Sequence, residues 1–507
     1  MSIAPEAIAR LKEVAGPNGF TEDPQAIAAH LVEWRGKYRG RSPLLLKPQT
    51  TVEVSRILAI CSETRTTVVP QGGNTGLVGG QIPFDGELLL SLSRLNRIRT
   101  LDADGMSVIA EAGVILAEMH KAAAAADRYF PLSLASEGSC TIGGNISTNA
   151  GGVNVLRYGN MRELVLGLEV VLTDGRVLDL LRTLRKDNTG YDLKQLFIGA
   201  EGTLGIVTAA ALKLFPKPTE RVTAFMAVPD VKTAIELLHR MQDATGGLLS
   251  AFELIPRIGL EMVLAHIPQT SDPLSAHSPW YALAEATGGA ESRLQDTIEH
   301  CLVAAMEAGM AADAVIAASE AQRGELWRLR ESLSEAQKHE GGSIKHDVSI
   351  PIAAIPDFLA HGIAAVEKRV HGVRPVPFGH LGDGNIHFNF SVPKGGDSAA
   401  FLAHWDEINR MVHDIVHEFG GSISAEHGVG VLKRDEILRY KSAAEIETMR
   451  ALKRTLDPNN ILNPGKVLPR EAGEGDHAKH GGGGGFSASA PLPAFGGTPP
   501  AARGESQ

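Results

Sequence analysis

The stretch Ser136–Gly152 reads SEGSCTIGGNISTNAGG, and its glycines decide which fold the chain adopts. So many glycines without an apolar period would weaken a packed core, yet strand-like segments flank the stretch on both sides. Backbone that packs closely against a large ligand explains them best, because glycine puts no side chain in the way. The glycines concerned are Gly138, Gly143, Gly144, Gly151 and Gly152.

A second glycine-rich loop, Gln71–Gly80, reads QGGNTGLVGG. It contains neither GxGxxG nor GxxxxGK[ST], and the strand-like Leu88–Leu92 follows it where a Rossmann fold would begin a helix. A Rossmann fold is therefore rejected. The loop is either a surface loop that uses glycine for its turns or a nest of backbone N–H groups for phosphate oxygens. The stretch Ser136–Gly152 favours the nest.

Length and composition indicate a globular protein of two or three domains, with 507 residues, 43% apolar residues and a formal charge of −10. The negative charge argues against general nucleic-acid binding. Three cysteines lie far apart without a CxxC pair, so we expect neither a disulfide framework nor a cysteine-zinc site. The first residues resemble neither a signal peptide nor a transit peptide. We expect a soluble cytoplasmic protein, with membrane contact at most at its periphery.

Four ordered motifs carry a family resemblance: PQGGNTGLVGG (70–80), SEGSCTIGGNISTNAGG (136–152), NTGYDL (188–193) and GAEGTLGIVT (199–208). They resemble the FAD-binding domain of the vanillyl-alcohol oxidase/p-cresol methylhydroxylase flavoprotein family, and within it the D-2-hydroxyglutarate and D-lactate dehydrogenases. The resemblance covers roughly residues 34–469. It implies an α+β fold in which the first loop binds the pyrophosphate and the second lies against the flavin.

The resemblance also implies which residues bind FAD. Some relatives attach FAD covalently through His or Tyr, but the first loop here offers Asn74 and Thr75 instead, so we expect non-covalent FAD. The positions that match the FAD-binding motifs are Pro70, Gly72, Gly73, Asn74, Thr75, Gly76, Glu137, Gly138, Thr141, Gly143, Gly144, Asn145, Thr148, Gly151, Gly152, Glu201, Gly202, Gly205, Ile206, Val207 and Asn463.

Composition and resemblance together divide the chain into five predicted parts. Strand-like and helical pieces alternate after Pro218, which suits a second α+β domain that covers the flavin. The glycine- and proline-rich end cannot bury enough apolar surface to fold. The parts are an N-terminal helical lead-in (1–45), an FAD-binding domain (46–218), a substrate or cap domain carrying part of the metal site (219–425), a C-terminal helical segment that returns to the flavin (426–470) and a disordered tail (471–507).

The stretch Pro377–Phe390 holds the candidate chemistry. In its second half, His387 and Asn389 share one face of a predicted strand, while the phenylalanines take the other. Together with His380 and Glu426, His387 forms a set of two imidazoles and one carboxylate that suits zinc or another divalent metal. The alternative is that each histidine is a hydrogen-bonded structural residue and Glu426 a surface charge.

The resemblance assigns roles to these residues. GHLGDGNIH (379–387) and SAEHG (424–428) resemble the segments that supply the metal ligands and the catalytic histidine of D-2-hydroxyglutarate dehydrogenases. By that resemblance His380, His387 and Glu426 are the ligands of a divalent metal, with zinc as the expected ion. His427 is then the general base, and Asn389 contacts the substrate hydroxyl.

A cationic clamp for a carboxylate is predicted from Arg330, Ser334 and Lys345. Arg330 and Ser334 are i,i+4 neighbours on one predicted helix, and Lys345 follows on the short strand Ser343–Asp347. The alternative is a solvated, charged helix face. A matching arginine, hydroxyl residue and lysine bind the distal carboxylate in the D-2-hydroxyglutarate enzymes, with Thr where this chain has Ser334. Their presence favours a diacid over D-lactate.

The expected function is therefore FAD- and metal-dependent oxidation of a D-2-hydroxy acid, with D-2-hydroxyglutarate to 2-oxoglutarate as the leading reaction. His427 would take the hydroxyl proton while the hydride passes to flavin N5. The alternatives are a D-lactate dehydrogenase, a glycolate-oxidase-like flavin subunit and, in a different class, a metal-dependent hydrolase. A quinone or an electron-transfer flavoprotein is the expected acceptor, and a homodimer stays open.

Overall fold

The N-terminal part of the chain, called the flavin side because FAD is predicted to bind there, is built mainly on two sheets. In the computed structural model, which describes residues 3–470, the first sheet has the order β1-β2-β4-β3. Strands β3 (Val68–Gln71) and β4 (Leu88–Ser91) run parallel, and the glycine-rich loop connects them with no helix between. This strand-loop-strand order confirms that the loop does not open a Rossmann unit. The predicted disordered tail, 471–507, lies outside the described residues.

The second flavin-side sheet is antiparallel, with the order β5-β6-β10-β8-β9. The second glycine-rich stretch passes over it as the short helix α5 (Ile142–Ser147). Thr141 begins that helix, because its hydroxyl accepts a hydrogen bond from the Gly144 N–H. The residue Gly143 packs so closely that a Cβ there would lie 2.6 Å from the Ala112 side chain. Here glycine serves close backbone packing, as its frequency in the sequence suggests.

Eight of the remaining strands form one sheet of order β15-β12-β14-β13-β18-β19-β16, with β17 also paired to β19, and β7 and β11 pair separately. Helices cover both faces, and the strands alternate between them. In β12, Ala224 and Met226 face the core shared with α8 and α10, whereas Phe225 and Ala227 face the core shared with α9, α11 and α12. Because both faces of this sheet are apolar, each face must be covered by a layer of helices.

The hairpin of β18 (Arg374–His380) and β19 (Asn385–Ser391) positions the candidate chemistry in this sheet. Phe388 and Phe390 are fully buried in the core, and His387 and Asn389 lie on the opposite face, as the alternation predicts. His380 ends β18 and pairs with Asn385 across the hairpin, so it belongs to the strand and not to the turn.

Two local predictions about the clamp are wrong. Arg330 and Ser334 do not share one helix, because α11 ends at Glu331 and α12 begins at Leu333, with Ser332 between them. The predicted strand Ser343–Asp347 is also interrupted: β16 ends at Ile344 and β17 begins at Asp347, which leaves Lys345 in the gap between them.

The C-terminal part returns to the flavin-side sheet after the helix α17. The Val68 N–H donates to the Ile461 carbonyl, and the Asn463 N–H donates to the Val68 carbonyl. These two hydrogen bonds place the turn at Asn463 beside the first glycine-rich loop. Within the described chain, we find no helix with the length and apolar character that crossing a bilayer demands.

The bounds of the elements follow in chain order. The helices are α1 (Pro5–Ala15), α2 (Pro24–Ala28), α3 (Thr51–Thr64), α4 (Leu116–Ala125), α5 (Ile142–Ser147), α6 (Val155–Tyr158), α7 (Met161–Leu164), α8 (Val231–Thr245), α9 (Arg257–His266), α10 (Leu294–Glu307), α11 (Glu320–Glu331), α12 (Leu333–His339), α13 (Ile355–Arg369), α14 (Ser398–Leu402), α15 (Trp405–Glu418), α16 (Ile437–Tyr440) and α17 (Ala443–Leu456). The strands are β1 (Phe20–Thr21), β2 (Leu45–Leu46), β3 (Val68–Gln71), β4 (Leu88–Ser91), β5 (Ile98–Asp102), β6 (Ser107–Glu111), β7 (Arg128–Tyr129), β8 (Val165–Val171), β9 (Val177–Asp179), β10 (Ile206–Lys213), β11 (Phe215–Pro216), β12 (Glu220–Val228), β13 (Leu249–Pro256), β14 (Trp280–Gly288), β15 (Asp313–Ile316), β16 (Ser343–Ile344), β17 (Asp347–Ser349), β18 (Arg374–His380) and β19 (Asn385–Ser391).

Candidate active site

Three predicted ligands converge at the hairpin of β18 and β19. The ligand atoms of His380, His387 and Glu426 all lie within 4.8 Å of one another, and His380 Nε2 is 3.8 Å from Glu426 Oε1. His380 is buried, whereas His387 and Glu426 keep part of their surface open. Two imidazole nitrogens and one carboxylate oxygen at this spacing fit a divalent first-row metal with room for a substrate.

A buried carboxylate, Glu253 of β13, holds the first of these histidines. Its Oε1 lies 2.5 Å from His380 Nδ1, and its Oε2 accepts a hydrogen bond of 2.6 Å from Arg330 Nε. Burial alone would lower the pKa of His380, but the Glu253 carboxylate raises it to about 9. Glu253 thus stabilises positive charge on the ring and directs Nε2 at the cluster, as carboxylates do for metal-bound histidines.

A second buried carboxylate, Asp347 of β17, fixes the catalytic candidate His427. Its Oδ2 accepts the backbone N–H groups of Glu426 and His427 at 3.0 Å each, and it lies 3.2 Å from His427 Nδ1. Asn385 Nδ2 donates to the other oxygen. Burial lowers the pKa of His427 although Asp347 opposes that effect, so the ring is neutral at pH 7. A neutral ring with Nδ1 beside Asp347 leaves Nε2 as a proton acceptor.

The second glycine-rich stretch and the segment around Glu201 reach this cluster from the flavin side. The Gly152 N–H donates to Glu426 Oε1 at 3.1 Å, and a Cβ on Gly151 would lie 3.2 Å from the same oxygen. The Glu201 carboxylate accepts N–H groups of Val429 and Gly430, two and three residues beyond His427. The loops of the flavin side are therefore in direct contact with residues 424–430, the loop that carries His427 and is called the catalytic loop below.

An open cleft of about 400 Å³ runs along the first loop and fits part of a dinucleotide. Gly72, Gly73 and Asn74 line it, together with His30 and Ser91. Two buried amide oxygens nearby, Asn74 Oδ1 and Asn463 Oδ1, have no hydrogen-bond partner among residues 3–470. Buried polar atoms normally have partners, so these oxygens are available to donors of a bound cofactor.

The other predicted FAD residues lie on three segments around this cleft. Gly72 and Thr141 bring the first two together, since a Cβ on Gly72 would lie 2.4 Å from Thr141 Oγ1. Asn463 joins the third, because its Nδ2 donates to the Gly80 and Glu201 carbonyls. The residues lie in or after β3 (Pro70, Thr75, Gly76), in or beside α5 (Glu137, Gly138, Gly143, Gly144, Asn145, Thr148), and before or at the start of β10 (Gly202, Gly205, Ile206, Val207).

The predicted substrate residues lie beside the cluster, and several of their side chains already form hydrogen bonds within the protein. Arg330 is buried, donates through Nε to Glu253 and stacks 4.9 Å above the Phe378 ring. Lys345 Nζ donates to the backbone carbonyl of Ser334 at 3.2 Å. Asn389 is buried and uses its amide on Gln337 and on the His346 N–H.

Glu253 and Asp347 are the functional residues that sequence reasoning missed. Glu253 is an acidic residue in a strand whose other members are buried and mostly apolar, and that mismatch is the signal that could have singled it out. Asp347 begins a strand of three residues and carries no comparable local signal. Their partners lie 127 and 80 residues away, so neither role was visible from local spacing.

Comparison with known proteins identifies the family. The C-terminal domain of FAD linked oxidases matches residues 217–467, and an FAD binding domain matches residues 43–181. A probable mitochondrial D-2-hydroxyglutarate dehydrogenase of Oryza sativa subsp. indica is 43% identical over 466 residues, 91% of this chain and 82% of the relative. The chain belongs to the FAD-binding D-2-hydroxyacid dehydrogenases. The predicted family resemblance is thereby confirmed.

Two further relatives carry the same name. The mitochondrial D-2-hydroxyglutarate dehydrogenase of Arabidopsis thaliana is 40% identical over 470 residues, 92% of this chain and 82% of the relative. That of Stutzerimonas stutzeri (strain A1501) is 37% identical over 467 residues, 92% of this chain and 99% of the relative. The chain is thus an FAD-dependent oxidoreductase with a small 2-hydroxy acid as substrate, and the alternative of a metal-dependent hydrolase is set aside.

Solved structures confirm the fold class. p-Cresol methylhydroxylase with substrate bound superposes with a TM-score of 0.72 at 17% identity, over 92% of this chain and 96% of that one. The 4-ethylphenol oxidase of Gulosibacter chungangensis gives 0.69 at 18% identity, over 92% and 98%. The α+β flavoprotein fold of the vanillyl-alcohol oxidase/p-cresol methylhydroxylase type is therefore the fold of this chain.

The predicted cytoplasmic location is wrong by the same comparison. The relatives from Oryza sativa, Arabidopsis thaliana, Danio rerio and Bos taurus are all named mitochondrial, whereas the names of the bacterial relatives state no location. The prediction rested on the first residues of the chain, which match neither a signal-peptide nor a transit-peptide pattern.

Proposed function

We propose that the enzyme oxidises D-2-hydroxyglutarate to 2-oxoglutarate, with a divalent metal held by His380, His387 and Glu426 and with His427 as the general base. The observation that carries the proposal is the convergence of these four residues beside the cations Arg330 and Lys345. A hydroxy acid with a second carboxylate suits both groups at once. The names of the relatives support the same substrate.

Each group at the site has a separate role in the proposed reaction. Non-covalent FAD, when bound, supplies the acceptor for the hydride from C2 of the substrate. A divalent metal, with zinc as the expected ion, supplies a Lewis acid for the hydroxyl oxygen. His427 accepts the hydroxyl proton at Nε2, and Asp347 holds the ring in the orientation that this transfer requires. Asn389 is proposed to orient the hydroxyl from the same strand face as His387.

The distal carboxylate is proposed to lie against Arg330, Lys345 and the Ser334 hydroxyl. The Nε of Arg330 is engaged by Glu253, so its terminal amino groups are the ones offered to substrate. Lys345 adds an ammonium group whose only hydrogen bond in the described chain is to a backbone carbonyl. Electrons then leave the reduced enzyme for a quinone or an electron-transfer flavoprotein.

A panel of D-2-hydroxy acids tests the proposal, with bleaching of the flavin absorption as the readout and with and without a metal chelator. D-2-hydroxyglutarate is expected to bleach the flavin at the lowest concentration, and chelation is expected to slow bleaching without releasing FAD. Preferred bleaching by D-lactate or glycolate would instead assign the chain to one of those alternative activities. Bleaching that is insensitive to chelator would remove the metal.

A further inference from the structure

A tight turn of the N-terminal lead-in closes over the substrate side of the site. The Gly36 N–H bonds to the Glu33 carbonyl, so Trp34 and Arg35 form the tip of the turn. Trp34 lies beside α12, with Lys338 Nζ 5.0 Å from its ring. Lys37 Nζ lies 4.8 Å from the Trp405 ring of α15. The turn is thus fixed to two helices of the substrate domain, although it precedes the flavin domain in the chain.

The tip of this turn brings Arg35 close to the predicted clamp. The carbonyl that holds Lys345 belongs to Ser334 of α12, the same helix that carries Lys338 against Trp34. The positive charge of Arg35 acts on Lys345, so Arg35 lies within electrostatic reach of the predicted clamp.

Arg35 and Lys338 both act on Lys345, so three cations gather at the predicted clamp. Burial and these two charges together lower the pKa of Lys345 to about 8. No carboxylate in residues 3–470 forms an ion pair with Arg35 or Lys345. Glu33 and Asp347 act on Arg35 from beyond ion-pair distance. Several cations gathered without a paired carboxylate cost folding energy, and such arrangements mark sites for anionic ligands.

We propose that Arg35 is a substrate-binding residue, which holds the distal carboxylate of a dicarboxylic 2-hydroxy acid from the side opposite Arg330. The inference rests on the proposed function for the identity of the substrate but not for the charge of the ligand. It predicts that the site selects a second carboxylate through a residue outside the substrate domain. Since the turn is exposed, Arg35 can engage a ligand without disturbing the core.

Binding of glutarate, which has both carboxylates but no hydroxyl to oxidise, tests the inference without turnover. Calorimetry on the FAD-loaded full chain compares glutarate with valerate in the wild type, in Arg35→Met and in the control Arg39→Met. Arg39 lies in the same lead-in and is also exposed. Arg35→Met is expected to weaken glutarate binding by about 10- to 100-fold, the range for a hydrogen bond to a charged group. The affinity for valerate should change by less than about twofold in every variant.

Kinetics give a second, independent readout. The ratio of kcat/KM for D-2-hydroxyglutarate to that for D-2-hydroxyvalerate should fall in Arg35→Met by the same factor as glutarate binding, and Arg35→Lys should recover part of it. Equal losses for both ligands, or an unchanged glutarate affinity in Arg35→Met, would overturn the inference. If the wild type binds glutarate through Arg35 but does not oxidise D-2-hydroxyglutarate, the proposed function fails and the inference stands.

Discussion

The pH dependence of kcat/KM tests whether the charge on Lys345 binds the distal carboxylate of the substrate. Burial, aided by the cations Arg35 and Lys338, lowers its pKa to about 8. The ammonium group is charged below that pH and neutral above it. The charged fraction is therefore about 0.9 at pH 7 and about 0.1 at pH 9. If only the charged form holds the carboxylate, kcat/KM for D-2-hydroxyglutarate falls about tenfold over this range.

The assay follows kcat/KM with an artificial electron acceptor, because this constant reports the groups of the free enzyme. D-2-hydroxyvalerate is the matched substrate, since it replaces the distal carboxylate by a methyl group. Its kcat/KM should stay nearly level from pH 7 to pH 9. Lys345→Met should lower the value for the diacid at pH 7 and abolish the fall towards pH 9. The same fall for both substrates, or a fall that persists in Lys345→Met, would refute the assignment.

Three further predictions concern the buried carboxylate, the base and the clamp. Glu253→Gln should weaken metal binding roughly 10- to 100-fold in a competition assay, because His380 loses the negative charge beside its Nδ1, whereas the exposed Glu261→Gln should not. His427→Ala should abolish flavin reduction by substrate while FAD absorption shows full occupancy, and unaltered turnover would exclude it as the base. Arg330→Met should lower the free energy of unfolding by about 3 kcal/mol, since it leaves Glu253 with one fewer partner in the core, and urea unfolding measures this loss.

Much of the site could be predicted because its signals are local. The period of two in Asn385–Ser391 places His387 and the phenylalanines on opposite faces, whatever the neighbouring strands are. The glycine-rich stretches likewise indicate close backbone packing without reference to distant residues. The resemblance then joined these segments into one site, and the structure brings His380, His387 and Glu426 together.

The missed residues depend on strand order, which local pattern does not encode. Glu253 meets His380 because β13 pairs with β18, although 127 residues separate the two in sequence. Arg35 lies on an exposed turn, and such a charge in sequence is indistinguishable from an ordinary surface residue. The break at Ser332 was missed for a different reason: the helical pattern continues through it, and the Ser332 N–H still donates to the Arg328 carbonyl as in a helix.

The catalytic loop is held from two sides, and this explains why the site needs the whole chain. Asp347 of the substrate domain accepts the N–H groups at Glu426 and His427, while Glu201 of the flavin side accepts those at Val429 and Gly430. Each carboxylate is buried, and its bonds to this loop form only when the loop is in place between them. A shift of the loop would move the proposed base and a proposed metal ligand together, so the two carboxylates keep both residues in one geometry.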